Sequence, residues 1–262
     1  MTFDIRYAML GDAEAERLYR SRPELRAGPD TYCPTCDKTG TYRWQGGEHP
    51  CDCALQLQLA KHYSAAGIGV LYQRMDWGDY GGDSELLQGV HDYLANHRAY
   101  VGQGIGLLFY GDIGTGKTLV ANLVLKELVK LGYTCFATTF ASTVEAFTST
   151  WGSSSEKEWF ARRFMHSQVL LLDDLGRELR TGHNLPQSTF DMILRTRVAE
   201  GRPTILTTNS SIAELEQGYG AQVLSLLKEQ SLAWHFSGQD FRPTANQRRL
   251  SEIRNGEIRP IV

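Results

Sequence analysis

Three groups of residues have the types and spacing for chemistry. Gly111-Asp112-Ile113-Gly114-Thr115-Gly116-Lys117-Thr118 reads G-x-x-x-x-G-K-T. That pattern is a phosphate-binding loop, in which backbone N–H groups and a helix N-terminus meet phosphate oxygens. Glycines there permit close approach and left-handed dihedrals. Lys117 is expected to reach the β- and γ-phosphates, Thr118 to place its hydroxyl on Mg²⁺, and Leu119 to complete the nucleotide-binding stretch. Second, Asp173 and Asp174 end the apolar run Val169-Leu170-Leu171-Leu172. Asp173 is expected to hold Mg²⁺, directly or through water, and Asp174 to polarise an attacking water; a solvated turn is the plain alternative. Third, Cys33-Pro34-Thr35-Cys36 and Cys51-Asp52-Cys53 offer four thiolates on two tight turns, which suits tetrahedral Zn²⁺. His49 could replace one thiolate, and a redox pair or merely buried cysteines are the alternatives.

The composition sets limits. With 262 residues, 42% hydrophobic and 22% charged, the chain has room for one sizeable core and a small appendage. A net charge of −3 means that any surface for nucleic acid must be local. No apolar run reaches membrane-spanning length, and Met1-Thr2-Phe3-Asp4 opens no signal-peptide pattern, so a cytoplasmic protein is expected. In that compartment the clustered cysteines point to metal rather than disulfides. Cys135, alone in an apolar stretch, reads as a core residue.

The elements that must position these groups follow from periodicity. Residues 1 to about 30 are polar, with a short helix at 13–20, as either a docking arm or a loosely held terminus. Residues 54–65 read as a helix leaving the cysteine region, residues 67–83 as an aromatic connector that could lie against a nucleotide base, and residues 85–99 as one helix. Gly106 to Tyr110 is a strand and the following helix runs to Gly132. A second strand spans 134–138, and Ser142-Thr143-Val144-Glu145 has a capping-box pattern that predicts a helix start. The Ser/Thr-rich residues 148–155 read as an exposed loop. Val169 to Asp174, apolar on both faces, suits a central parallel strand. A helix over 188–200, a strand over 204–207, a broken helix over 212–229 and a strand over 233–236 complete the pattern. Arg195 and Arg197 near the end of the 188–200 helix could simply complement its dipole, and Asn209 sits at a strand edge. Beyond about residue 250 the tail reads as mobile. Five strands alternating with helices predict an α/β, doubly wound parallel sheet.

The order of these motifs resembles the DnaC-type helicase loaders and their relative, the IstB transposition helper, among the AAA+ ATPases. The resemblance covers roughly residues 50 to 245 and rests on G-D-I-G-T-G-K-T, L-L-L-D-D-L-G, R-P-T-I-L-T-T-N, Y-G-A-Q-V-L-S-L-L and F-S-G-Q-D-F-R. It implies an AAA+ ATPase domain over 105–245, preceded by a zinc-binding, helicase-interacting region over 1–66 and a connector with a helix over 67–104, and followed by a tail over 246–262. It implies ATP, Mg²⁺ and Zn²⁺ as cofactors, with Asn209 and Arg242 as sensors beside Lys117, Asp173 and Asp174. It implies a DnaB-type replicative hexameric helicase, single-stranded DNA and further copies of this chain as partners. Within the segment 142–163, Lys157, Arg162 and Arg163 would meet DNA phosphates while Trp151, Trp159 and Phe160 stack on bases, core packing being the alternative for Trp159 and Phe160. One departure stands out. The family pattern Y-G-x-R-x-x-S-R-L carries two arginines, the second of them the usual arginine finger; this chain has Gln222 and Leu226 there. Arg177, Arg180, Arg195 or Arg197 would have to substitute, or hydrolysis would be weak and ATP chiefly a switch. A transposase helper on duplex DNA, a small-molecule kinase and a non-hydrolysing DNA-binding adaptor are the competing readings.

Overall fold

The computed structural model describes residues 12–21, 41–176, 185–257 and 259–262. Helix α1 spans Asp12–Ser21, and a hairpin of β1 (Thr41–Trp44) and β2 (Gly47–Pro50) precedes α2 (Asp52–Ala65). The connector then forms α3 (Val70–Gln73) and a 3-10 turn over Trp77–Asp79, followed by α4 (Ser84–Ala95) and α5 (His97–Gly102). The remaining elements alternate: β3 (Gly106–Gly111), α6 (Lys117–Lys130), β4 (Cys135–Thr139), α7 (Phe140–Ser149), α8 (Ser154–Phe160), β5 (Val169–Leu175), α9 (Leu185–Ala199) and β6 (Thr204–Thr208). Helices α10 (Ile212–Tyr219) and α11 (Ala221–Gln230), strand β7 (Ser231–Phe236) and α12 (Arg242–Arg254) follow.

Five strands form one sheet in the order β4-β5-β6-β3-β7, and every pairing in it is parallel. Each central strand feeds two cores, because successive side chains leave opposite faces. Leu107, Phe109, Val169, Leu171 and Ile205 face the layer with Tyr63, Tyr93, Val120 and Val124. Their neighbours Leu108, Leu170, Leu172 and Leu206 face Phe140, Phe190, Ile193 and Leu224. That is why β3 and the first four residues of β5 are apolar on both faces, and why the doubly wound sheet was legible in sequence. Helix α2 belongs to the first core through Leu59, Ala60 and Tyr63, and the Ala66 carbonyl accepts from Ala137 N at the open edge of β4. The part of α2 from Leu57 onward, with Ala66, therefore packs with the sheet.

Four sequence expectations are corrected. The single helix over 85–99 is two, since the Asn96 side chain donates to the Asp92 carbonyl at 2.9 Å and ends α4. Helix α7 starts before Ser142: Thr139 is the cap, its hydroxyl accepting from Ser142 N. The exposed loop over 148–155 is mostly helical, because the hydroxyls of Thr148, Ser149 and Thr150 each donate 2.7 Å to a carbonyl three residues back. Finally, the tail is ordered. Helix α12 runs to Arg254, and Ile261 is buried against the α2 layer.

Arg197 is the largest fully buried side chain, with no exposed surface. Its guanidinium donates to the carbonyls of Phe164, Met165, Ser167, Gln168 and Pro203 and to the Thr204 hydroxyl, at 2.7 to 3.3 Å. It thus ties α9 to the turns entering β5 and β6, and neither caps a helix dipole nor reaches a neighbouring subunit. Arg197→Ala would leave buried carbonyls without donors, so a loss on the order of 3 kcal/mol is expected in urea denaturation.

Candidate functional site

The phosphate loop joins β3 to α6, and its glycines are constrained by what surrounds them. Gly111, Gly114 and Gly116 have φ of 122°, 80° and 94°, in the region where a side chain is strained. A Cβ on Gly111 would lie 2.2 Å from the Phe236 carbonyl oxygen, and one on Gly114 would lie 1.9 Å from Asp240 Oδ1. The segment after β7 therefore covers the loop. Phe241 N donates to the Gly114 carbonyl at 3.0 Å, Asp112 N to the Phe236 carbonyl at 2.8 Å, and Gly238 N to Asp112 Oδ2 at 3.2 Å. No side chain caps α6 at Gly116, so the first amides of the helix, from Lys117, Thr118 and Leu119, are available to an anion. Lys117 is buried, with Nζ donating to the loop's own carbonyls of Gly111 at 2.9 Å and Asp112 at 2.5 Å. Burial lowers its pKa, opposed by Asp112, Asp174 and Asp173. Ile113 and Thr115 complete the loop, Ile113 exposed and Thr115 buried with its hydroxyl on the Asp112 carbonyl at 2.8 Å.

The acidic pair lies at the end of β5, with β6 between it and β3. Thr118 Oγ1 donates to Asp173 Oδ1 at 2.9 Å, and the Thr207 hydroxyl donates to the same oxygen. Thr207 also accepts from Asp174 N at 3.0 Å. Between Leu172 and Leu175 the β5–β6 register shifts, and Asp174 sits in the left-handed region at φ 59°. A bulge at that point re-aims two successive carboxylates, and the non-glycine residue in it carries the strain that functional sites concentrate. Burial raises the Asp173 pKa, against the lowering effect of the Thr207 and Thr118 hydroxyls. Thr118 and Asp173 fit a hard cation, offering hydroxyl and carboxylate oxygens beside the loop.

Of the expected sensors, Asn209 is exposed just beyond β6, whereas Thr207 in that strand makes the contacts to the acidic pair. Thr207 was missed; it is one of three threonines in the five residues of β6, so nothing in the sequence singles it out without the fold. Arg242 opens α12, its backbone N on Asp240 Oδ1 at 2.9 Å, and its charge lowers the Lys117 pKa. The connector contributes two aromatic residues. Tyr80 ring atoms lie 3.0 Å from the place of a Cβ on Gly116. The Tyr72 pKa is raised by burial and by Asp173 and Asp174 and lowered by Arg242.

The expected DNA residues divide. Lys157 and Arg162 are exposed, Arg162 paired with Glu158 at 3.0 Å. Trp159 is 41% exposed and lies edge-on to Phe136 and Phe164. Arg163 turns inward, donating to the Ala65 carbonyl at 2.5 Å and lying over the Phe136 ring. Phe160 is a core residue, stacked on Phe164, so of its two readings packing prevails. Among the substitute arginines, Arg195 is held by Asp191 at 2.7 Å, while Arg177 and Arg180 lie outside the described residues. So do Cys33, Cys36 and the side chain of Cys53. Cys51 is buried at the start of α2. Among the described residues no group of three or more His, Cys, Asp or Glu is placed to hold a metal ion.

A family model described as IstB-like ATP binding protein matches residues 77–228. The chain belongs to that family. It is 24% identical over 183 residues to the replicative helicase loader DnaC of Escherichia coli, spanning 68% of this chain and 73% of that protein. It is 23% identical over 197 residues to YdaV of the same organism, spanning 73% and 77%. Among solved structures, a DnaC helicase loader aligns with TM-score 0.53 at 23% identity, covering 68% of this chain and 99% of that one. DnaI aligns with TM-score 0.56 at 19% identity, covering 64% and 94%. The sheet order and these likenesses together show the AAA+ P-loop fold of the DnaC type, and family membership makes this an ATP-binding protein. No helix of the described residues is long and apolar enough to cross a membrane.

Thr207→Val is expected to weaken Mg²⁺-dependent nucleotide binding severalfold, read by fluorescence titration with and without Mg²⁺, and to lower the melting temperature by a few degrees because Asp174 N loses its acceptor. Because the Asp173 pKa is raised, protons compete with a cation there at higher pH than at an ordinary carboxylate. Affinity in the presence of Mg²⁺ should fall on acidification, and begin falling at higher pH in Thr207→Val, which loses a donor to the ionised form.

Proposed function

We propose that this protein is an ATP-dependent loader of a DnaB-type replicative helicase onto single-stranded DNA. The observation that carries the reading is that the helicase-loader relative is matched over 73% of its length, not at the phosphate loop alone. ATP with Mg²⁺ supplies the phosphoanhydride whose state the protein reads. Lys117, with the amides of residues 113–119, binds and orients the phosphates; Thr118 and Asp173 hold the cation; Asp174 positions and polarises water; Asn209 beyond β6 and Arg242 at the start of α12 act as the sensors of the nucleotide.

Hydrolysis on this reading is weak, and nucleotide acts chiefly as a switch. Leu226 is partly buried against the second core and Gln222 is exposed, so neither supplies the positive charge of a finger. Arg197 is buried and Arg195 is bound to Asp191, while Arg177 and Arg180 lie outside the described residues; steady turnover is expected to stay low with helicase and single-stranded DNA present. A strong acceleration that Arg195→Ala abolishes would refute the switch. Copies of the chain assemble on the helicase, and DNA lies along α8 and the turn after it, where Lys157 and Arg162 meet phosphates beside Trp159, with Arg163 in a supporting place.

The region around β1 and β2 grips the helicase. Native mass spectrometry with the helicase of the same organism tests the whole reading. A complex of defined stoichiometry that depends on ATP and disappears in Lys117→Ala is expected; no complex under any condition defeats it. The double variant Cys33→Ser, Cys36→Ser should lose zinc and helicase together while still binding ATP.

The matched family model favours one second reading, an ATPase helper of a transposase. Tighter ATP-dependent binding to duplex than to single-stranded DNA, without helicase binding, would decide for it.

A further inference from the structure

The tail and the connector meet in a cluster that the ATP reading does not use. Asp79, at the end of the 3-10 turn, is almost fully buried, with 6% of its side chain exposed. Both its oxygens accept from Arg259 Nη1 at 2.9 Å, and Oδ2 also accepts from Asp76 N at 2.8 Å. Arg248 of α12 pairs with the same carboxylate, Arg259 Nη2 lies 3.4 Å from Asp76, and Glu252 faces both arginines. Arg74 donates to the Arg259 carbonyl. The next residues continue the brace. Val262 N donates to the Gln73 carbonyl at 3.1 Å, and Gln56 of α2 exchanges two hydrogen bonds with buried Ile261, at 2.7 and 2.8 Å. Tyr63 of α2 donates to the Val262 carbonyl at 2.9 Å.

From the other side, Lys126 of α6 reaches the carbonyls of Tyr72, Gln73 and Met75 at 2.5 to 3.3 Å. Residues 72–80 are therefore clamped between the helix that starts at the phosphate loop and the tail. Their two ends carry the tyrosines of the site: Tyr80 against Gly116, and Tyr72 in the field of Asp173 and Arg242. A buried carboxylate with two guanidiniums is costly to break, since removing one partner leaves charge uncompensated.

We propose that Arg259 is a positioning residue that holds residues 72–80 against the phosphate loop, so that nucleotide bound there is transmitted through the tail to α2 and the hairpin before it. This rests on the ATP-binding reading. Asp79 is the joint, Ile261 the contact with α2, and α12 is drawn in through Arg248. The 13-residue α12 has no buried residue, and Arg248 ties it to this brace through Asp79.

The test is hydrogen exchange of the full chain with and without saturating ATP and Mg²⁺, for wild type, Arg259→Ala, Arg259→Lys and Ile261→Ser, with nucleotide occupancy measured in parallel. In the wild type, ATP should slow exchange in residues 70–80 and in α2. Arg259→Ala should bind ATP about tenfold more weakly, a factor within reach of a lost buried charge pair, and at saturation show no slowing in α2. Arg259→Lys should recover part of both, and Ile261→Ser should keep the slowing in 70–80 but lose it in α2. A merely structural tail would raise exchange equally with and without ATP, and that result overturns the proposal. So does ATP protection of α2 that persists in Arg259→Ala. If the wild type binds ATP without any change in α2, the coupling fails and the ATP reading stands; if it binds no ATP, both fall.

Discussion

One carboxylate oxygen joins the halves of this molecule's site. Asp173 Oδ1 accepts from Thr118 on α6 and from Thr207 on β6, so the phosphate loop, β5 and β6 meet at a point. The parallel register makes this possible: Leu172 of β5 lies beside Leu206 of β6, and Tyr110 of β3 beside Thr208. All three strands deliver their carboxyl ends to the same edge, which is where open α/β sheets bind ligands. The bulge between Leu172 and Leu175 then lets two consecutive acids work there, because unbroken pleating would send them to opposite faces.

The opposite edge of the sheet is held by a different device. Arg197 gathers carbonyls from the turns that enter β5 and β6, where the backbone would otherwise bury acceptors without donors. Functionally the two edges divide the labour. The carboxyl edge keeps strain and charge near Asp174 and Lys117, and the amino edge spends a buried cation on rigidity. This division explains why an arginine close to a motif of the family is structural here.

The connector is the third constraint. It is neither part of the sheet nor free of it: Lys126 ties it to α6, Asp79 to the tail and α12, and Gly67 brings the end of α2 within a bond of β4, where a Cβ would lie 2.3 Å from the Ala137 carbonyl oxygen. Consequently the connector touches α6, the tail and α12, while the end of α2 lies against β4. Of its two tyrosines, Tyr80 lies against Gly116 of the loop, and Tyr72 in α3 feels the charges of Asp173 and Arg242.

The sequence by itself determined the phosphate loop, the acidic pair at the end of an apolar strand, the alternation of strands and helices, and hence the α/β class. These are local statements, written in the spacing of neighbours and in the periods of helix and strand. Several local signals still misled where backbone and side chain compete for the same partners, as at Ser142 and over 148–155, where hydroxyls satisfied helical carbonyls instead of opening a loop. What only the tertiary structure decided depends on register between distant residues. Thr207 meets Asp173 across 34 positions, and Ile261 meets Gln56 across 205. No periodicity announces such pairings, because each residue's type suits many environments and its partner is chosen by packing. So Arg197 became a core residue rather than a finger, Arg163 turned toward Phe136, and a tail that reads as mobile closed onto α2.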